Sequence, residues 1–196
     1  MRCLICGSLS LKHICNKCQR EFLTPRVYKQ YVDEMVVISF FKYSEIDFLL
    51  KTKNSYVGSY ILKILTQNSI KTFINGNSFD KLGDHVGIVP IDDRPSEAGY
   101  SHTALISKQI ENQTFKPCFN TLRANNDVKY QGQSREFREN NSREFHFNQQ
   151  KCKYPTMILV DDIITTGSTF RQAKREIYNH YDKFHIFFGV TLAYVE

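Results

Sequence analysis

Met157-Ile158-Leu159-Val160-Asp161-Asp162-Ile163-Ile164-Thr165-Thr166-Gly167-Ser168-Thr169 is the stretch of this 196-residue chain that decides its fold. Four apolar residues in a row, without polar alternation, describe a strand covered on both faces, as in a parallel sheet flanked by helices. Two acids follow at the strand's carboxyl end, then a Thr/Gly/Ser loop, and Ser168 to Tyr181 carries the pattern of a helix. In that order these parts make an anion cradle. The first amides of a helix have no intrahelical acceptor, Gly167 lets the backbone approach a ligand closely, and the hydroxyls of Thr165, Thr166, Ser168 and Thr169 add donors to a phosphate. Asp161 and Asp162 would repel that anion, so they fit a neutral, hydroxyl-bearing part of the same ligand, as acids do with ribose hydroxyls in dinucleotide sites. Read without a ligand, the same residues are a strand, an acidic turn and a threonine cap.

Outward from this strand, the pattern alternates between strands and helices. Val36 to Tyr43 is β-branched and aromatic and reads as a strand. Apolar residues at Ile46, Leu49, Leu50, Val57, Tyr60, Ile61, Ile64 and Leu65, interrupted at Asn54-Ser55, predict two helices with a break between them. His85 to Ile91 is a short apolar strand that ends in the polar run Asp92 to Glu97. A helix is expected over Ser101–Glu111, a strand over Lys116–Leu122 and a last strand over Phe184–Val195. Strands separated by helices of crossover length predict an α/β fold with a mainly parallel sheet.

Between Asn125 and Gln150 the composition turns to Asn, Gln, Arg, Glu and Ser, with a local duplication of Ser-Arg-Glu-Phe at Ser134–Phe137 and Ser142–Phe145. The eight-residue spacing puts Phe137 and Phe145 on one face of an amphipathic helix. From Lys116 to Lys153 there are eight bases against four acids, with Tyr130, Phe137, Phe145 and Phe147 among them. That mixture suits phosphate attraction with base stacking on single-stranded nucleic acid, or simply a solvated helix.

Four of the six cysteines fall as two pairs, Cys3-x2-Cys6 and Cys15-x2-Cys18. Two CxxC knuckles so close together read as a tetrahedral thiolate shell for zinc, structural because it leaves no open position for water. A redox role is the alternative for a CxxC pair. His13 is a spare ligand expected to be exposed, and Cys118 and Cys152 are expected to be small buried hydrophobes. The unit ends near Thr24-Pro25, dividing the chain into residues 1–24 and 25–196.

The formal net charge of +6 is concentrated there: residues 1–30 hold six Lys or Arg against one acid, and the rest holds 20 against 19. No apolar run approaches the roughly 18 uncharged residues of a membrane span, and Met1 to Cys6 lacks a signal-peptide apolar region. The expected compartment is the cytoplasm.

Residues 157–169 resemble the motif by which type I phosphoribosyltransferases bind 5-phosphoribosyl-1-pyrophosphate (PRPP). The resemblance implies that Asp161 and Asp162 take the ribose 2′- and 3′-hydroxyls and that Thr165 to Thr169 take the 5′-phosphate, with Mg²⁺ and basic residues serving the pyrophosphate. Lys51 and Lys53, at the break between the predicted helices, are candidates for that charge; on spacing alone they equally describe a solvated helix face. With the four-cysteine knuckle ahead of this motif, the chain is similar over nearly its whole length to the ComF family, phosphoribosyltransferase-like proteins of natural competence. A family pattern Ser-x3-Arg-x2-Asn-x3-Phe is met by Ser134, Arg138, Asn141 and Phe145.

What the resemblance implies is a type I phosphoribosyltransferase-like sheet flanked by helices with a small N-terminal zinc knuckle. It implies a cytoplasmic protein, brought to the inner face of the membrane through partners, that handles incoming single-stranded DNA alongside uptake-channel or helicase proteins, with or without phosphoribosyl transfer to an acceptor. One block departs. Where the family has Arg-Gly-Phe-Asn-Gln, this chain has Ala98-Gly99-Tyr100-Ser101-His102, so the loop over residues 92–102 bears on the acceptor and on transfer rather than on PRPP binding. A nucleobase-salvage phosphoribosyltransferase and a noncatalytic PRPP-sensing adaptor are the alternatives; the first needs a base pocket after the last strand, and only Glu196 follows Val195 here.

Overall fold

The computed structural model describes residues 1–79, 82–126, 143–180 and 183–196. In chain order these form α1 (Asn16–Phe22), β1 (Tyr28–Val32), β2 (Met35–Ser39), β3 (Phe41–Lys42), α2 (Tyr43–Leu50), α3 (Tyr56–Thr66), α4 (Thr72–Gly76), β4 (Val86–Pro90) and α5 (His102–Gln109). There follow β5 (Phe115–Pro117), β6 (Leu122–Ala124), β7 (Phe145–Phe147), β8 (Thr156–Val160), β9 (Ile163–Ile164), α6 (Ser168–His180), β10 (His185–Val190) and β11 (Ala193–Tyr194). Six strands make the main sheet in the order β1-β2-β10-β8-β4-β5, parallel from β2 to β5. The architecture is α/β, with a mostly parallel central sheet between helices.

Both faces of that sheet are covered, as the unbroken apolar run of β8 requires. Ile158 and Val160 enter one buried cluster with Leu49 of α2, Ile61 and Leu65 of α3 and Ile106 of α5. Met157 and Leu159 enter the other, with Phe170, Ala173 and Ile177 of α6 and Phe145 and Phe147 of β7. Each of these side chains other than Ala173 contributes about 1.5–3 kcal/mol by leaving water.

The helices after β2 break where Asn54-Ser55 predicts. A 3₁₀ turn over Lys51–Asn54 separates α2 from α3, and the Ser55 hydroxyl accepts from the Gly58 amide to start α3. Gly58 allows that turn to sit on the helix: a Cβ there would lie 2.1 Å from the Thr52 carbonyl oxygen. The expected strands over Val36–Tyr43 and Phe184–Val195 are each interrupted. β2 gives way to β3 at Phe40, and β10 to β11 at Thr191-Leu192, where the amides of Phe40 and Phe41 both donate to the Leu192 carbonyl at 3.1 and 3.0 Å. The neighbouring β8 breaks beside them at Asp161-Asp162, whose carbonyl at Asp162 accepts from the Leu192 amide at 3.0 Å. Beyond the breaks β3, β11 and β9 pair as a small second sheet.

Two features differ from expectation. β1 is an antiparallel edge strand joined to β2 through Asp33-Glu34, with Asp33 at φ 53. Phe145, expected on the face of a helix, lies instead in β7, paired antiparallel with β6, and both Phe145 and Phe147 are buried. Phe137, Arg138, Ser134, Asn141 and Tyr130 lie outside the described residues. The predicted strand over Lys116–Leu122 is two strands, β5 and β6, separated by a turn in which Asn120 has φ 58.

The first 24 residues share the core of the rest. Cys3, Ile14, Cys18 and Leu23 belong to the same buried cluster as Ile61 and Leu65, and Asn68 donates to the Gln19 side-chain oxygen at 3.1 Å. Among the described residues no helix is long and apolar enough to cross a membrane.

Candidate functional site

β4 and β8 are neighbours in the sheet, but the chain leaves them in opposite directions. β4 leads through α5 to β5 on one side, and β8 through α6 to β10 on the other. The loops 91–101 and 161–167 therefore part above the carboxyl ends of the two strands, and this switch point is where doubly wound sheets bind ligands. Asp161, Asp162 and the loop to Thr169 lie there.

The two acids are not equivalent. Lys53 reaches from the turn between α2 and α3 and donates from Nζ to Asp162 Oδ2 at 2.5 Å, with both side chains largely buried. Burial works against the charge on Asp162, but the Lys53 ammonium outweighs it and holds the carboxyl below its usual range. Among the described residues Asp161 has no ammonium partner of this kind. Burial, and then the charge of Asp162, push it up to about 8, so it carries a proton at neutral pH; the Arg143 guanidinium opposes the shift without cancelling it. One acid is thus an acceptor and its neighbour also a donor, a pair suited to adjacent hydroxyls.

Sequence spacing left Lys51 and Lys53 undistinguished, and the structure separates them. Lys51 pairs with Asp47 at 2.6 Å on the exposed side of α2, its side chain 66% exposed. Only Lys53 touches the acids, and its own charge is favoured by Asp162.

The facing wall comes from the loop 92–102. Tyr100 donates its hydroxyl to the Lys53 carbonyl at 2.5 Å, and His102 Nε2 lies 3.0 Å from the same oxygen. His102 Nδ1 faces Asp162 Oδ2 at 3.9 Å. The loop is anchored at its start, where buried Asp93 accepts from the Asn120 amide at 2.5 Å and from Arg123 Nε at 3.1 Å. Arg94 pairs with Asp92 through two bonds, at 2.8 and 3.0 Å. The signal for Tyr100 and His102 in the sequence is that they stand in the departing block; their convergence on Lys53 is not legible there.

In the cradle, Ser168 is buried and its amide lies 3.4 Å from Thr166 Oγ1, while Thr165 is exposed and Thr169 half-buried. Gly167 has φ +74, and a Cβ there would sit 2.5 Å from Val32 Cγ2. The glycine expected to admit a ligand is therefore required first by the β1–β2 hairpin, which presses Val32 onto the loop.

The four N-terminal cysteine sulfurs lie within 4.8 Å of one another. A tetrahedron with metal–sulfur bonds of about 2.3 Å has edges of about 3.8 Å, and Cys6 and Cys15 Sγ are 3.8 Å apart. Gly7 at φ 71 turns the first knuckle, and the Cys15 and Cys18 amides lie 3.3 and 3.4 Å from Cys3 and Cys15 Sγ. Burial and then the neighbouring thiols push Cys18 up, a cost to its thiolate that a cation at the centre of the cluster would offset. The cluster can hold a metal ion such as zinc. His13 takes no part: it is half-buried against the Tyr60 ring, 5.0 Å between centroids, rather than exposed. Cys118 and Cys152 are buried as expected but are not solitary, since both sulfurs pack against Gly87. No protein-family model and no curated protein matches the chain.

Proposed function

We propose that this chain is a PRPP-binding protein with the type I phosphoribosyltransferase fold, similar to the ComF family, and that it handles incoming single-stranded DNA in the cytoplasm during natural transformation. The observation that carries the reading is the placing of Asp161, Asp162 and the hydroxyl loop to Thr169 together at the switch-point crevice between β4 and β8. Asp161 and Asp162 take the ribose hydroxyls, and Thr165, Thr166, Gly167, Ser168 and Thr169 take the 5′-phosphate at the start of α6. Lys53 supplies positive charge toward the pyrophosphate. The phosphate and hydroxyl oxygens of PRPP are the hard donors a Mg²⁺ ion accepts, so Mg²⁺ enters with PRPP, where it neutralises charge on the leaving group. Transfer of the phosphoribosyl group to an acceptor is a further part of the proposal, read out as pyrophosphate release.

Calorimetry with PRPP and Mg²⁺ tests the site. Replacing both Asp161 and Asp162 by Asn should weaken PRPP by about 10- to 100-fold, the range for losing hydrogen bonds to a charged group, and inorganic phosphate far less. Lys53→Ala should weaken PRPP and Lys51→Ala should not. A double Asn variant that binds PRPP like the parent removes the acids from the ligand and ends the reading.

Zinc is the metal proposed for Cys3, Cys6, Cys15 and Cys18. Elemental analysis should give about one zinc per chain, lost when Cys3 and Cys6 become Ser; metal-free protein with four titratable thiols would refute it. The DNA partner rests on the six bases against one acid in residues 1–30, because buried Phe145 and Phe147 present no face for base stacking. Binding that weakens steeply with salt is its signature.

A further inference from the structure

His102 opens α5, with Ser101 as the cap that accepts from the Ala104 amide at 3.1 Å. Its Nε2 is 3.0 Å from the Lys53 carbonyl, an oxygen that can only accept, so Nε2 carries the hydrogen. In the neutral ring Nδ1 is then a lone pair, and it faces Asp162 Oδ2 at 3.9 Å, beyond hydrogen-bond distance. Two acceptors stand opposite one another, and neither can satisfy the other.

The surroundings of the ring favour its neutral form. Burial disfavours the imidazolium and lowers the His102 pKa, and a helix N-terminus adds to the same effect. The groups facing it are Asp162, which favours protonation, and the Lys53 ammonium, which opposes it. Tyr100, 5.3 Å away between ring centroids, stays a neutral phenol because burial raises it. Asp161 and, behind it, Arg143 complete the charged surroundings of the acids.

We infer that His102 is a ligand-contacting residue of this crevice, whose Nδ1 accepts a hydrogen bond from one hydroxyl of a sugar phosphate while the adjacent hydroxyl donates to Asp162. Two neighbouring hydroxyls, each with one proton to give, match two acceptors set 3.9 Å apart. The inference rests on the sugar-phosphate reading of the site and adds to it a recognition residue from the loop 92–102. It also gives that departing block a use: the block supplies an imidazole acceptor as well as the Tyr100 grip on the Lys53 turn.

The test is calorimetry of the full chain with ribose 5-phosphate and, separately, inorganic phosphate, between pH 5.5 and 7.5. His102→Leu should bind ribose 5-phosphate about 3- to 10-fold more weakly at pH 7.5, the loss of one neutral hydrogen bond, with inorganic phosphate unchanged. His102→Gln should recover most of the loss, because its amide can donate to the Lys53 carbonyl and present its oxygen to the ligand. On acidification the parent should lose ribose 5-phosphate more steeply than His102→Gln, because a protonated Nδ1 donates to Asp162 and closes the gap; the ligand's own phosphate titration is common to both. Unchanged ribose 5-phosphate affinity in His102→Leu while the parent binds it overturns the inference and leaves the proposed function standing. Equal losses of ribose 5-phosphate and inorganic phosphate would reduce His102 to positioning and also overturn it. A parent that binds phosphate but neither ribose 5-phosphate nor PRPP sinks both.

Discussion

The wall of the crevice that follows β8 is a run of nine consecutive residues, Asp161 to Thr169. The wall that follows β4 reaches the same acids only through Tyr100 and His102, 47 and 49 residues from the Lys53 carbonyl they hold. In the first wall, local geometry sets the chemistry: a strand end, a turn and a helix start place acids and amides whatever surrounds them. In the second, no local rule brings a tyrosine and a histidine to a lysine on another helix pair; packing of α3 against α5 does. A contiguous site can be read along the chain, whereas an assembled one is visible only once the fold has brought its parts together.

The sharpest way to break the comparison is at Gly167, where the contiguous wall turns out to depend on a distant contact. Gly167→Val adds a β-branched side chain at φ +74 and against Val32, and should cost about 3–5 kcal/mol of stability from backbone strain and overpacking. Thermal melting measures it, at roughly 2–4 °C per kcal/mol for a chain of this size. A variant that melts with the parent would mean that the hairpin does not press on the loop, and the first wall would be wholly local after all.

A smaller and more telling effect is expected at the acids, where neighbours in one wall should respond with opposite sign. Asp162→Asn strips the Lys53 ammonium, 19% exposed, of its carboxylate and should destabilise by about 2–4 kcal/mol, somewhat less than a fully buried pair. Asp161→Asn should stabilise. The folded protein keeps a proton on Asp161 up to about pH 8, while an ordinary aspartate with a pKa of 3.8 gives it up on unfolding. The native state then binds more protons than the unfolded chain between those pH values, so stability falls as pH rises through this window. Asn needs no proton, so the variant should gain about 1–3 kcal/mol at pH 8 and little at pH 4. Stability measured against pH decides it: parallel curves for Asp161→Asn and the parent would show that Asp161 ionises normally, and the two acids would be equivalent.

Much of the fold is legible wherever a rule is local. The continuous apolar run of β8 gives a sheet covered on both faces, Asn54-Ser55 marks the break between α2 and α3, and the paired CxxC units predict sulfurs gathered within 4.8 Å. What escapes the sequence has long-range causes. β1 reads Tyr-Lys-Gln-Tyr-Val, alternating half-buried and exposed residues at a sheet edge with Tyr31 open to solvent, so it lacks the apolar signal of the interior strands. Phe145 has helical spacing from Phe137, but a partner strand at Leu122–Ala124 decides its conformation. Lys51 and Lys53 look alike in the chain, and only the direction in which the 3₁₀ turn projects each side chain sends one to Asp47 and the other to Asp162.

The cysteine unit has no core of its own. Ile14 and Leu23 are buried among the same residues that bury Ile61 and Leu65 of α3, the helix whose first turn sits through Gly58 on the Thr52 carbonyl and the Lys53 Cα. A cation held by the four sulfurs therefore stabilises more than its own knuckle, because a ligand that binds only the folded state raises the stability of everything that unfolds with it. Metal binding by the cysteines and the sugar-phosphate binding proposed for the crevice are then coupled through one cooperative unit. In zinc-loaded protein, chelation should lower the melting temperature of the α/β body in a single transition, and PRPP bound in the crevice should slow release of the metal.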